Sequence, residues 1–244
     1  MSKTIVITGA GSGLGRAVAL RFAADGWATV LLGRTLEKLQ GAADEIGEAA
    51  TAIACDIREP DSVRAAFAEI AARFPQIDML VNNAAFVEHQ TIAEASDRHI
   101  LEGVGTNLIG HILCSRAAIP LLRRGGHIVN ISSGAVENNF GGMSVYAATK
   151  AGLERFSRSL YEELEPQGVC VSYLRTGQMV DDLERWRTDP AIAETVAAAL
   201  AHGLDPRKRP SATFASVAGV LAAMTRLPPD LAAAGVVVKP RRQA

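Results

Sequence analysis

Ile5-Val6-Ile7-Thr8-Gly9-Ala10-Gly11-Ser12-Gly13-Leu14-Gly15-Arg16 carries the clearest signal of architecture in the chain. A β-branched run leads into four glycines at alternate positions, and a segment of helical character containing Val18, Leu20 and Phe22 follows. Strand, glycine turn and helix in that order form a phosphate site. Glycines let the backbone approach a pyrophosphate closely, and the helix N-terminus supplies unpaired amides and the positive end of its dipole. The G-x-G-x-x-G pattern fails because position 14 is Leu, and the P-loop fails because no Lys follows. T-G-x-x-x-G-x-G fits. A merely structural turn requires no such run of glycines, so a dinucleotide bound through Gly9, Ser12, Gly13, Leu14 and Gly15 is the expectation.

Beyond that stretch, short apolar runs recur at Thr29–Leu32, Thr51–Cys55, Met79–Val81, His127–Ile131, Cys170–Leu174 and Val236–Val238. Between most of them lie helical patterns, such as Val63, Phe67, Ile70 and Phe74 opened by Pro60. Near-continuous apolar strands alternating with amphipathic helices predict an α/β, doubly wound (Rossmann) parallel sheet of about seven strands with helices on both faces. No repeat or composition shift divides the chain, which reads as a single domain over 1–244. One irregular stretch at about 176–210 carries Met179, Val180, Leu183 and Trp186 among Asp, Arg and Pro, and reads as a substrate lid.

Composition narrows the function classes. With 25 Lys plus Arg against 26 Asp plus Glu, the chain has no basic excess for nucleic acid or an anionic membrane surface. The basic clusters Arg207-Lys208-Arg209 and Lys239 to Arg242 read as solvated ends. No run of apolar residues is long enough to span a membrane, and the opening apolar run is too short for a signal peptide. Cys55, Cys114 and Cys170 are odd in number and lie far apart in apolar runs, which suits core positions in a reducing, cytoplasmic setting.

At the end of the second strand, where an acid would grip the ribose of NAD, the chain has Arg34. A guanidinium there suits a 2′-phosphate, so NADP(H) is favoured, with NAD(H) the alternative. Asp56 and Asn83 follow the third and fourth strands on the same edge.

Tyr146 and Lys150 are four apart in a helical segment, hence on one face a turn apart. Ser133 closes the strand before them. Carbonyl reduction needs a proton donor opposite a hydride donor, and a phenol with pKa near 10 is a poor acid-base group at pH 7. A Lys ammonium at about 4 Å, in an effective dielectric near 20, supplies roughly the 4 kcal/mol needed to lower it by about three units. Ser133 would hold the substrate oxygen as a hydrogen-bond donor. A hydrolase reading lacks the G-x-S-x-G elbow, and the five His show no metal-ligand spacing, so no metal is expected.

TGAGSGLG at 8–15, Asp56, Asn82-Asn83-Ala84-Ala85, Asn107 within Thr106 to Gly110, Ser133 and Tyr146-x-x-x-Lys150 together resemble the single-domain branch of the short-chain dehydrogenase/reductase family. The resemblance implies Tyr146 as acid-base, Lys150 on the nicotinamide ribose, Ser133 orienting substrate and Asn107 holding a relay water. It further implies cofactor contacts from Asp56, Ile57, Asn83 and Ala84, and a homodimer or homotetramer through the helices near 107–122 and 146–165. Three departures stand out: Ala85 where the family has Gly, Thr176-Gly177-Gln178-Met179-Val180-Asp181 where it has Pro-Gly and a later Thr, and the tail Val238-Lys239-Pro240 where it has closing glycines. The expected partner is a small-molecule carbonyl or alcohol, in a site lined by Phe86, Val87, Val136, Glu137, Asn138, Phe140, Met143, Met179 and Trp186. The competing reading is a catalytically silent NAD(P)-binding regulatory protein, whose expected mark is a missing Tyr, Lys or Ser; all three are present.

Overall fold

The computed structural model describes residues 2–180, 190–203, 205–228 and 230–241. Its strands are β1 (Thr4–Thr8), β2 (Ala28–Gly33), β3 (Ala50–Ala54), β4 (Ile77–Asn82), β5 (Leu122–Ser133), β6 (Cys170–Thr176) and β7 (Gly235–Val238). They form one seven-stranded sheet in the order β3-β2-β1-β4-β5-β6-β7, and every pairing is parallel. The expected doubly wound Rossmann sheet is therefore present. Strand order reverses between β1 and β4, which opens a crevice at their carboxyl ends, where ligands of such sheets bind.

The helices are α1 (Gly13–Ala24), α2 (Leu36–Ile46), α3 (Pro60–Arg73), α4 (Asp97–Val104), α5 (Gly110–Ala118), α6 (Ser144–Leu164), α7 (Pro190–Ala201) and α8 (Phe214–Met224). Side chains of a strand alternate between faces. Ile5 and Ile7 accordingly meet Leu14, Val18 and Phe22 of α1, Leu39 of α2 and Leu221 of α8, while Val6 joins Phe67 of α3, Cys114 of α5 and Leu160 of α6 on the other face. Each such apolar side chain, once fully buried, contributes about 1.5–3 kcal/mol of transfer free energy.

Local signals set the helix boundaries. Pro60 opens α3 at a first-turn position, and the hydroxyls of Ser96 and Thr213 accept from the backbone N–H of His99 and Ser216 to cap α4 and α8. A π-helical turn, Gly105–Ile109, joins α4 to α5 and widens the helix at Asn107.

The stretch 176–210, expected to be a lid, is joined to the rest of the fold near both of its described ends. Met179 and Ala212 form an isolated parallel bridge, with the Val180 N–H donating to the Ala212 carbonyl at 2.9 Å and the Ala212 N–H to the Gln178 carbonyl at 3.0 Å. Leu183 and Trp186 lie outside the described residues. Cys55 and Cys114 are buried as expected, whereas Cys170, near the start of its strand, is only half-buried. Among the described residues no helix is long and apolar enough to cross a membrane.

Candidate active site

Thr8 knits the first and fourth strand ends together. Its hydroxyl accepts from the backbone N–H of Asn83 (2.9 Å) and Ala84 (3.0 Å), while the Asn83 amide donates to the Thr8 carbonyl at 3.0 Å. This closeness explains the glycines. Gly9 sits at φ +66°, and a Cβ on Gly15 would lie 2.3 Å from the Gly9 carbonyl oxygen and 2.6 Å from the Asn83 amide nitrogen. Ser12, at the head of α1, makes no side-chain cap bond, and the first turn contains no acidic residue. The amides and dipole at that end are left for an anion, which fits a pyrophosphate. Leu14 is buried in the core, so only its backbone N–H is available to a ligand there.

Arg34 is exposed just beyond β2. Lys38, which the sequence did not single out, lies beside the glycine turn: a Cβ on Gly11 would meet the Lys38 Cβ at 3.0 Å. Asp56 is engaged by Arg58, whose Nε and terminal nitrogen donate to the carboxylate at 3.0 and 2.6 Å, and whose other terminal nitrogen pairs with Glu102 at 3.1 Å. Arg58 was also missed, although it lies only two residues away. Its hydrogen bonds hold the Asp56 carboxyl below the ordinary range despite partial burial. Ile57 is buried against Gly110, where a Cβ would come within 2.6 Å of it.

Ser133 ends β5, and Tyr146 and Lys150 stand one turn apart on α6. Lys150 is fully buried and donates from Nζ to the Ile131 carbonyl at 2.8 Å, with its nitrogen 5.9 Å from the centroid of the Tyr146 ring. Burial draws the Lys150 pKa down to about 7. Burial also raises the Tyr146 phenol above its ordinary value, only partly opposed by the Ser133 hydroxyl as hydrogen-bond partner. The expected depression of the phenol by the ammonium is thus corrected for the chain alone. Nζ is directed to a strand carbonyl, and loss of solvent acts on the phenol more strongly than the cation does.

Asn107 is fully buried in the π-helical turn, and both ends of its amide clip one residue: Oδ1 accepts from the Phe86 N–H and Nδ2 donates to the Phe86 carbonyl, each at 2.8 Å. One N–H and one lone pair of that amide are taken up in this clip. One turn on, the buried His111 bonds the Ala84 carbonyl through Nε2 at 2.9 Å. Loss of solvent keeps its imidazole neutral, with a pKa near 3. No cluster of three potential metal ligands occurs among the described residues.

A cavity of about 550 Å³ opens on Ser133 and Tyr146, and Val87, Glu137, Asn138, Phe140, Met143 and Met179 line it as expected. Two expected lining residues do not. Phe86 turns to stack edge-on against His99 at 5.6 Å, and Val136 stays off the wall; Trp186 lies outside the described residues. Arg207, Lys208 and Lys239 are exposed, as expected of solvated ends, whereas Arg209 is half-buried. Arg207 and Lys208 pair with Asp205, but Arg209 and Lys239 face the cavity. Pro240 closes over Gly177, where a Cβ would sit 2.4 Å from the proline ring. A second cavity, about 460 Å³ between Lys3, Trp27, Arg123 and Cys170, lies at the opposite end of the sheet.

The geometry agrees with the comparisons. A family model described as short chain dehydrogenase matches residues 3–189. Serine 3-dehydrogenase from Agrobacterium fabrum is 37% identical over 190 residues, covering 77% of this chain and 76% of that protein. Among solved structures, a metagenomic short-chain oxidoreductase in complex with NADP superposes with a TM-score of 0.80 at 26% identity, covering 99% of this chain and 98% of the other. The 3-ketoacyl-(acyl-carrier-protein) reductase from Brucella melitensis, complexed with NADH, gives 0.81 at 28% identity, covering 97% and 96%. A strand-end serine, a Tyr and Lys one helical turn apart and an uncapped glycine turn on one sheet edge thus occur in a chain that belongs to the short-chain dehydrogenase/reductase family of oxidoreductases.

Proposed function

We propose that this chain transfers a hydride between NADP(H) and a carbonyl or secondary alcohol, with Tyr146, Ser133, Lys150 and Asn107 as its working residues. One observation carries the reading: Ser133 and Tyr146 line the same cavity at the carboxyl edge of the sheet, with Lys150 buried behind them. A bound nicotinamide supplies or accepts the hydride. Ser133 donates to the substrate oxygen, and Tyr146 delivers or removes the proton at that oxygen. Lys150, brought near neutrality by burial, holds or releases a proton at Nζ while its bond to Ile131 fixes α6 against β5. Asn107 acts by positioning, since its amide fastens the backbone just after Ala84.

The cofactor's pyrophosphate would rest on Gly9 to Gly15, its adenosine near Asp56 and Ile57, and its nicotinamide side near Asn83 and Ala84. Arg34 and Lys38 on that edge support NADP(H), and solved relatives hold NADP or NADH. We further read 176–210 as a substrate lid of this one domain, and the helices near 107–122, where Ile109 is exposed, and 146–165 as the seam of a homodimer or homotetramer. The test is the absorbance of reduced nicotinamide during incubation with a panel of ketones and aldehydes. Consumption dependent on a carbonyl is expected; cofactor binding without turnover of any member would overturn the reading.

A further inference from the structure

Arg209 enters the cavity wall from the lid side, immediately after a short 3-10 turn, Pro206–Lys208. Its guanidinium lies over the Phe140 ring with the central carbon 4.5 Å from the centroid. Stacking on a ring face holds a guanidinium in place while leaving its in-plane N–H donors directed sideways.

The other charges of this cavity are answered locally. Arg175 makes a bidentate pair with the buried Glu154, its Nε at 2.8 Å and terminal nitrogen at 2.6 Å, and also touches Glu137. Lys239 lies 3.7 Å from Glu137, the one carboxylate among the described residues of the wall. His89 also lines the wall, and burial favours its neutral form. Asp205, nearest in sequence, is taken by Arg207 and Lys208. Among the described residues no carboxylate pairs with Arg209, so it is the cation of this wall left for a ligand. The remaining lining beside it is largely apolar, with Val87, Met143, Met179 and Ala199.

We infer that Arg209 is a specificity residue that anchors an anionic group of the substrate, so that the substrate is a carbonyl compound or alcohol with an apolar body and a carboxylate, or another oxyanion such as a phosphonate. The inference rests on the oxidoreductase reading of the same cavity. A planar fork matches a carboxylate with two parallel N–H···O bonds, and the apolar surroundings strengthen each of them.

The experiment compares keto acids with their own methyl esters, using pyruvate, levulinate, benzoylformate and a medium-chain keto acid, together with the phosphonate analogue of levulinate. Wild-type protein should favour at least one anion over its ester by about tenfold or more in kcat/KM, the scale of a charge-assisted hydrogen bond. Arg209→Gln should remove that preference while leaving the ester rate within about twofold, and Arg209→Lys should restore part of it. A preference that survives Arg209→Gln, an equal fall for acid and ester, or no preference in wild type would overturn the inference. Turnover of no member with either cofactor would instead count against the oxidoreductase reading. Calorimetric titration of the cofactor-loaded protein with the same acids then decides: binding at least about tenfold weaker in Arg209→Gln supports the anchor, and equal or absent binding overturns it.

Discussion

Lys150 reaches from the second turn of α6 to the Ile131 carbonyl at 2.8 Å, two residues before Ser133 on β5. This buried hydrogen bond joins the strand that carries Ser133 to the helix that carries Tyr146, beside those of Asn130 to Ser157 and Ser132 to Glu154. It also retains a cation in a place where loss of solvent opposes charge, so the residue has a measurable effect on stability.

The Lys150 pKa falls from 10.5 to about 7 on folding, so between those values the unfolded chain binds more protons than the folded one. Stability should rise with pH across that window and be lost as pH falls toward 7. Lys150→Met should flatten this dependence, raise Tm at pH 6 by about 4–8 °C, equivalent to roughly 2 kcal/mol, and abolish turnover. Thermal unfolding of both proteins from pH 6 to pH 10 checks it; a lower Tm for the variant throughout would refute it.

Two glycines separate a cofactor requirement from a conformational one. Gly15→Ala should weaken NADPH binding by about 100-fold or more, because its methyl group would meet the Gly9 carbonyl and Asn83 at the turn that approaches the pyrophosphate. Gly41→Ala, inside α2 with nothing within 4 Å of its new methyl, should instead stabilise the fold by about 0.5–1 kcal/mol. Fluorescence titration and urea unfolding read the two effects.

Arg34 is exposed just beyond β2 and Lys38 lies beside the glycine turn, the edge proposed above to hold the extra phosphate of NADP. Arg34→Asp should lower kcat/KM for NADPH by about 100-fold and leave NADH within a few-fold, since a carboxylate repels the phosphate and suits a ribose hydroxyl. Lys38→Ala should produce a smaller loss of the same sign. An unchanged ratio of the two cofactors in Arg34→Asp would remove Arg34 from the cofactor site.

Much of this is written in short-range pattern. All seven strands lie close to the apolar runs, and the glycine turn is legible because its demand on the backbone is local. Tyr146 and Lys150 are visible for the same reason, a helical turn being a fixed spacing. The cavity wall is not. Arg209 and Phe140 meet across 69 positions, and Lys239 arrives just after the last strand, so their sequence neighbourhoods show only basic and loop character. The Asn107 clip on Phe86 is hidden similarly, because a π-helical turn has no period of its own in the apolar pattern. The Lys150 and Tyr146 protonation balance is not legible either, because spacing fixes the pair's separation but not the burial that acts on both groups.

The most direct measurement is the Tyr146→Phe variant, followed by single-turnover reduction of an accepted carbonyl and by NADPH titration. A loss of about a thousandfold in rate with cofactor affinity held within about twofold is expected for the removal of a proton donor at the reacting oxygen. Undiminished turnover, or a loss explained wholly by weaker NADPH binding, would contradict the placement of proton transfer at Tyr146.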